Sequence, residues 1–168
     1  GGAIGTDIDI LYARSTNNGS TWSLPLPLNT NATIDLGHDF GSHVLTDANG
    51  RWIAVWSSTL TLTGPGSAND IFLALSSDDG ISWSAPAFLN SNAATDTGYD
   101  DYPQLATDNH GNWVAAWTSS DPLGGTLGVD SDILTARSSD NGLTWTDPVP
   151  LNSNAATDTE GDFDLALA

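Results

Sequence analysis

The sequence predicts an all-β fold, a partial β-propeller of four-stranded antiparallel blades, and three observations carry that prediction. An eight-residue phrase, Ser-x-Asp/Asn-x-Gly-x-Ser/Thr-Trp, recurs at residues 15–22, 76–83 and 138–145, so the chain repeats with periods of 61 and 62 residues. Each repeat carries four short strand-like segments in the same order, and no helical apolar period runs through any of them. A fixed period of this length marks stacked supersecondary units, none of which buries its apolar face alone. Four antiparallel strands per unit describe a propeller blade.

The repeat extends well beyond the phrase. Asp9-Ile10 recurs as Asp70-Ile71 and Asp132-Ile133, Asn29 as Asn90 and Asn152, Asp35 as Asp96 and Asp158, and Asp39 as Asp100 and Asp162. Trp52 and Trp56 fall on Trp113 and Trp117, so all seven tryptophans occupy repeat positions and are assigned to packing of the units.

In the second unit, residues 102–107 (YPQLAT) form a first strand, and Asp108-Asn109-His110-Gly111 form the tight turn after it, with the Asp and Gly that turns favour. Residues 113–118 (WVAAWT) form the second strand, and a Gly-rich connection over 119–131 leads into the third, residues 132–138 (DILTARS). The recurring phrase makes the next turn. Residues 144–151 (TWTDPVPL) make the fourth strand, whose prolines suit an outer edge that needs no full ladder of donors. A polar loop over 152–162 leads to the next first strand.

The single segment 1–168 thus divides into the end of one blade (1–38), two complete blades with their connecting loops (39–99 and 100–161) and the first strand of another (162–168). These about 2.7 repeats cannot close a ring, and a six-bladed parent with this period needs about 370 residues. The remaining blades are expected from a longer chain or from other copies of this one.

Composition narrows the class. Twenty aspartates and Glu160 face three arginines and no lysine, giving a net charge of -18. Nucleic acid is excluded as a partner, because phosphate binding needs a basic surface. Aspartate favours turns and ligates hard cations, so the bias predicts a turn-rich chain with calcium sites. The absence of cysteine removes disulfides and thiolate metal sites. No apolar run is long enough to span a membrane, and dense Asp, Asn, Ser, Thr and Gly resemble an extracellular or cell-surface β protein.

The recurring phrase resembles the Asp-box of the BNR repeats found in the sialidase (neuraminidase) superfamily of β-propellers. Two copies match closely, through Ser76, Asp78, Gly80, Ser82 and Trp83 and through Ser138, Asp140, Gly142, Thr144 and Trp145. The first copy departs from the pattern, with Asn17 between Ser15 and Gly19 and with Trp22 closing it. Such a turn leaves backbone N–H groups that a side-chain oxygen accepts locally, while Gly supplies a positive φ. The box is therefore structural. The resemblance implies that it lies between third and fourth strands, at the rim opposite the active-site funnel.

Strand alternation then puts the fourth-to-first and second-to-third loops together on the other rim, with more than half of the acids. Asn-x-Asn-x-x-x-Asp-x-x-x-Asp spacing, as in Asn90, Asn92, Asp96 and Asp100, offers oxygen ligands within one loop, and Asp35 and Asp39 and Asp158 and Asp162 repeat it. Calcium is the cofactor this spacing suits. Carboxylate pairs, Asp96 with Asp100 or Asp121 with Asp130, are the candidates for acid/base hydrolysis of a neutral sugar, with Tyr99 nearby.

The resemblance implies three arginines holding a sialic acid carboxylate, an Asp acid/base and a Tyr nucleophile assisted by Glu. Arg14, Arg51 and Arg137 belong instead to the box rim, and no matching Glu is evident. The segment is accordingly expected not to be a competent sialidase by itself. It reads as a structural or binding scaffold for a glycan or protein ligand, or as a fragment of a sialidase-like glycoside hydrolase whose arginines lie in other blades.

Overall fold

The structure is a computed structural model that describes residues 4–60, 68–128 and 130–167. Residues 61–67 of the first second-to-third loop, Val129 of the glycine-rich connection and the terminal Ala168 lie outside the described residues.

Among the described residues, ten strands form three antiparallel sheets. β1 (Leu11–Tyr12) pairs with β2 (Leu26–Pro27) as the third and fourth strands of an incomplete blade. One complete blade runs β3 (Asp39–Thr46), β4 (Trp52–Ser58), β5 (Asp70–Ser76) and β6 (Ala87–Phe88), each strand beside the next. The other runs β7 (Asp100–Thr107), β8 (Trp113–Ser119), β9 (Asp132–Ser138) and β10 (Val149–Pro150) in the same order. The chain is therefore a partial β-propeller.

First strands start two residues earlier than the pattern 102–107 indicates, because Asp100 and Asp101 pair with Ser119 and Thr118. A bulge follows in each blade, between Phe40 and His43 and between Asp101 and Gln104. Fourth strands are shorter than residues 144–151: the ladder in the last blade is confined to Val149 and Pro150. Pro148 and Pro150 have no N–H to extend it. Residues 162–167 form no strand. The second strand of a fourth blade, which would pair with them, is not in the chain.

β4 and β8 are buried along most of their length, and the β3–β6 blade stands between the other two sheets. Ile53 and Val55 of β4 join Ile71, Leu105, Trp113, Trp117 and Leu134 in one core, while Ala54 and Trp56 join Ile10, Leu28 and Phe72 in another. Burial of such side chains contributes about 1.5–3 kcal/mol each. Polar bonds tie β7 to the preceding blade: the Leu105 N–H donates to His43 Nδ1 of β3 at 3.2 Å and the Tyr102 N–H to Ser57 Oγ of β4 at 3.2 Å. His43 is thus a structural acceptor, and burial lowers its pKa.

Each box folds around one acceptor. Asp140 Oδ1 accepts from Ser138 Oγ (2.8 Å) and the Thr144 N–H (2.9 Å), while Oδ2 accepts from Thr144 Oγ1 (2.5 Å). Ser138 Oγ accepts in turn from the Gly142 N–H at 2.9 Å. Asp78 repeats these bonds with Ser76, Ser82 and Gly80. In the first copy Asn17 Oδ1 takes the bonds from Ser15 and the Thr21 N–H, and its amide donates to Thr21 Oγ1 at 2.9 Å, so the departure from the pattern costs no hydrogen bond. Gly142 has φ 80°, and a Cβ there would stand 2.3 Å from Ile53 Cδ1, so the box also packs on the preceding blade. Trp83 follows the same rule, meeting Tyr12 edge-on at 5.9 Å. Trp22, in the first copy, is 65% exposed, which corrects its assignment as a packed residue.

The hydroxyl and backbone donors of residue 144, followed by the Ser138 hydroxyl, hold Asp140 down at about 2, and the same bonds from Ser82 and Ser76 do so for Asp78. A depressed carboxyl stabilises the fold above its ordinary pKa and loses that contribution as pH falls towards 2. Asp140→Ala is expected to lower the thermal midpoint by several degrees at pH 7, and Asp140→Asn to recover most of the loss, as Asn17 does naturally. Equal losses for both variants would show that the charge, rather than the turn bonds, matters.

Candidate functional site

The antiparallel registers set two unlike rims. Thr46, Trp52 and Ser76 stand abreast at the box rim, as do Thr107, Trp113 and Ser138. At the other rim Asp39, Ser58 and Asp70 stand abreast, and Asp100, Ser119 and Asp132 repeat the row. Aspartates that begin first and third strands therefore converge at one edge.

The fourth-to-first loops close over that edge. In the first two, Asn29 and Asn90 start a tight turn, the Ala32 N–H donating to the Asn29 carbonyl and the Ala93 N–H to that of Asn90, while in the third the Thr157 and Asp158 N–H groups donate to the Asn154 carbonyl. The loop ends by docking on the preceding blade: the Asp39 N–H donates to the Ile8 carbonyl (2.8 Å), the Asp100 N–H to that of Asn69 (2.9 Å) and the Asp162 N–H to that of Ser131 (2.6 Å). These acceptors each immediately precede a residue of the Asp9, Asp70, Asp132 series. The approach is close; a Cβ on Gly98 would lie 2.2 Å from the Asp121 backbone nitrogen, so only glycine fits there.

Three acidic clusters result, one per repeat: Asp7, Asp9 and Asp35; Asp70, Asp96 and Asp100; and Asp130, Asp132 and Asp158, with carboxylate oxygens in each within 4.8 Å of one another. Charges at that spacing repel by roughly 3 kcal/mol per pair at an effective dielectric of about 20. Burial adds to the cost, since Asp39, Asp70, Asp100 and Asp132 are all buried. Desolvation, the first cause throughout, pushes Asp39 and Asp70 up to about 6. Desolvation and then the charges of Asp70 and Asp121 push Asp96 up to about 7, and burial holds Asp100 well above the carboxylate range. Asp35 and Asp132 are raised for the same first reason.

Few donors answer these oxygens. Asn29 and Asn152 each give one amide bond, to Asp9 (2.9 Å) and Asp132 (3.1 Å). Asn31 gives one to Asp35 at 2.6 Å, and Asn154 one to Asp158. Among the described residues, every buried side-chain oxygen without a hydrogen-bond partner belongs to an Asp or Asn of this rim. Such a surplus of hard oxygen acceptors can hold a metal ion.

The sequence-predicted residues fall into place unevenly. Asp35, Asp96, Asp100 and Asp158 sit in the clusters, whereas Asp39 and Asp162 lie beside them, Asp39 raised in part by the charges of Asp35 and Asp9, and Asp132 in part by that of Asp162. Asp7, Asp9, Asp70, Asp130 and Asp132 lie outside the loop spacing, because they come from the start of the third strand rather than from the loop. Their recurrence in the repeat was the available signal. Asp121 and Asp130 do not pair: Asp121 accepts from Asn92 at 2.5 Å and faces Asp96, while Asp130 joins Asp132 and Asp158. Tyr99 is exposed, and its backbone is tied to Ser120. A cleft of about 780 Å³ between the last two blades at this rim is lined by Asn92, Thr95, Asp96, Asp121, Pro122 and Asp147, among others.

Arg14 and Arg137 flank boxes, and Arg51 reaches the Asn141 carbonyl at 3.4 Å, so all three arginines belong to the opposite rim. No helix among the described residues is long and apolar enough to cross a membrane.

No protein-family model matches the chain, and no curated protein sequence matches it. Solved structures do match. A "Hadza microbial sialidase Hz136" is 24% identical with a TM-score of 0.62, covering 82% of this chain and 30% of its own. The alpha-L-arabinanase of Penicillium chrysogenum, solved with arabinobiose, is 16% identical with a TM-score of 0.64, covering 92% of this chain and 44% of its own. The chain thus has a sialidase-like propeller fold and spans less than half the length of either relative.

Proposed function

We propose that the chain is an extracellular scaffold segment of a longer, six-bladed sialidase-like propeller, with an acidic rim that calcium orders and that receives a neutral glycan or a protein partner. The observation that carries this reading is the chemistry of the rim: buried carboxylate and amide oxygens in surplus, beside a cleft of about 780 Å³, with the arginines on the other side. An anionic sugar meets repulsion there. Hydroxyl groups, by contrast, find acceptors. The carbohydrate-acting relatives support a glycan as the ligand class.

Thermal melting in calcium and in EDTA tests the metal. A calcium concentration one hundred times the dissociation constant stabilises by about 2.7 kcal/mol, or about 5–11 °C at this chain length. An unchanged midpoint sinks the calcium reading.

A second reading is favoured by the likeness to a sialidase: this segment belongs to an exo-sialidase-like glycoside hydrolase whose catalytic arginines lie in the remaining blades. Hydrolysis of a fluorogenic sialoside by the parent protein tests it. Activity in the parent, lost on substitution of arginines outside these residues, would replace the scaffold reading.

A further inference from the structure

We infer that the first acidic cluster, Asp7, Asp9 and Asp35 with Asn29, holds one hard divalent cation of the calcium class, and that the equivalent middle cluster, Asp70, Asp96 and Asp100 with Asn90, holds none. This rests on the calcium reading above and says where in the repeat the ion sits.

With Asp39 counted beside the first cluster, the two occupy equivalent repeat positions, Asp9, Asp35 and Asp39 answering to Asp70, Asp96 and Asp100; Ala68 stands in place of Asp7, and Asp121, which faces Asp96, in place of Leu60. The consequence appears in the amide that sits among the carboxylates. Asn29 is fully buried; its Nδ2 donates to Asp9 Oδ1 at 2.9 Å, and its Oδ1 has no donor. Both oxygens of Asp7, Oδ2 of Asp9 and Oδ1 of Asp35 are likewise buried and unpaired. The side chain of Asp39, only 2% exposed and also with an unpaired Oδ1, borders the same space. A single water has two protons to offer to these acceptors. A calcium ion takes six to eight oxygen ligands, mixed carboxylate and amide, in flexible geometry.

In the middle cluster protein donors serve most of these oxygens, leaving Asp100 Oδ1 and Asn92 Oδ1 unpaired. Asn90 is equally buried, but its Oδ1 accepts from the Ile71 N–H at 3.1 Å. Its Nδ2 lies 3.1 Å from Asp70 Oδ1, 3.2 Å from Asp96 Oδ2 and 2.9 Å from Asp100 Oδ2, so an amide occupies the centre of the carboxylates. Asn92 turns away to Asp121, whereas Asn31 stays on Asp35. Losing the fourth carboxylate at Ala68 leaves a set that amide protons can serve.

Titrating calcium chloride calorimetrically into the chelator-treated chain tests this, with variants compared against the unaltered protein so that the third cluster cancels. Asp7→Ala is the variant of choice, since Ala68 shows that the fold accepts alanine at this position. Asp7→Ala is expected to bind one equivalent fewer, or to bind it at least tenfold more weakly, and Asp70→Asn to bind the same number. Ala68→Asp is expected to add one equivalent. Circular dichroism on each variant reports the fold; should Asp7→Ala unfold, Asp7→Asn is read with the same expectation. Unchanged stoichiometry and affinity in the Asp7 variant, or an equivalent lost in Asp70→Asn, overturns the assignment, and no gain in Ala68→Asp removes Ala68 as its cause. Absence of calcium binding to the unaltered protein defeats the calcium reading itself, a separate outcome.

Discussion

Trp117→Ala is expected to lower the stability of the chain by about 3–5 kcal/mol, the cost of emptying a fully packed aromatic site. Trp117 is 0% exposed in β8 and belongs to the core shared by the two complete blades, with Val55, Leu105 and Leu134. At about 2–4 °C per kcal/mol for a chain of this size, the thermal midpoint should fall by roughly 6–20 °C. Trp22→Ala is the matched control. Its ring is 65% exposed, and its removal should change stability by no more than about 0.5 kcal/mol. Chemical unfolding followed by circular dichroism measures both. A Trp22 effect as large as that of Trp117 would mean that another surface covers the first box in solution, which the partial first blade invites.

The fold was legible because its signals are local and repeated. The box turns, the β3–β4 and β7–β8 hairpins and the 61- and 62-residue periods each follow from residues close in sequence, and the structure gives four strands per blade in the expected order. What sequence spacing could not supply was depth. Nothing in the run Asn90 to Asp100 distinguishes a solvated loop from one folded back onto the third-strand start, yet the bond from the Asp100 N–H to the Asn69 carbonyl buries Asp100 against Asp70. The acidic clusters therefore draw on Asp9, Asp70 and Asp132 as much as on the loop. Trp22 shows the reverse: its place in the repeat marks it for packing, yet its ring is 65% exposed. Register within a blade is short-range information, whereas burial at a rim depends on which blade stands next to it.

The middle cluster makes the metal-free protein sensitive to pH in the direction opposite to most acidic proteins. Asp70 is raised to about 6 and Asp96 to about 7, by burial first and for Asp96 then by the charges of Asp70 and Asp121. Asp100, buried between them, is raised well above the carboxylate range. In the unfolded chain these groups lose their protons near 4. A carboxyl that keeps its proton longer in the folded state stabilises it fully below the unfolded value, and that contribution is lost as pH rises through the folded one. The box aspartates act oppositely, below about 4, so in EDTA the thermal midpoint should peak near pH 4–5 and decline towards pH 8. Asp96→Asn carries the shape of the protonated acid without its titration. It is expected to leave the midpoint at pH 4 nearly unchanged, to begin raising it by pH 5, and to raise it at pH 8 by about 2–8 °C, corresponding to about 1–2 kcal/mol once partial exposure is allowed for. Melting curves of both proteins across pH 4–8 in EDTA decide the matter. A flat profile for the unaltered protein, or no gain from Asp96→Asn at pH 8, would show that the middle carboxylates are solvated rather than buried together.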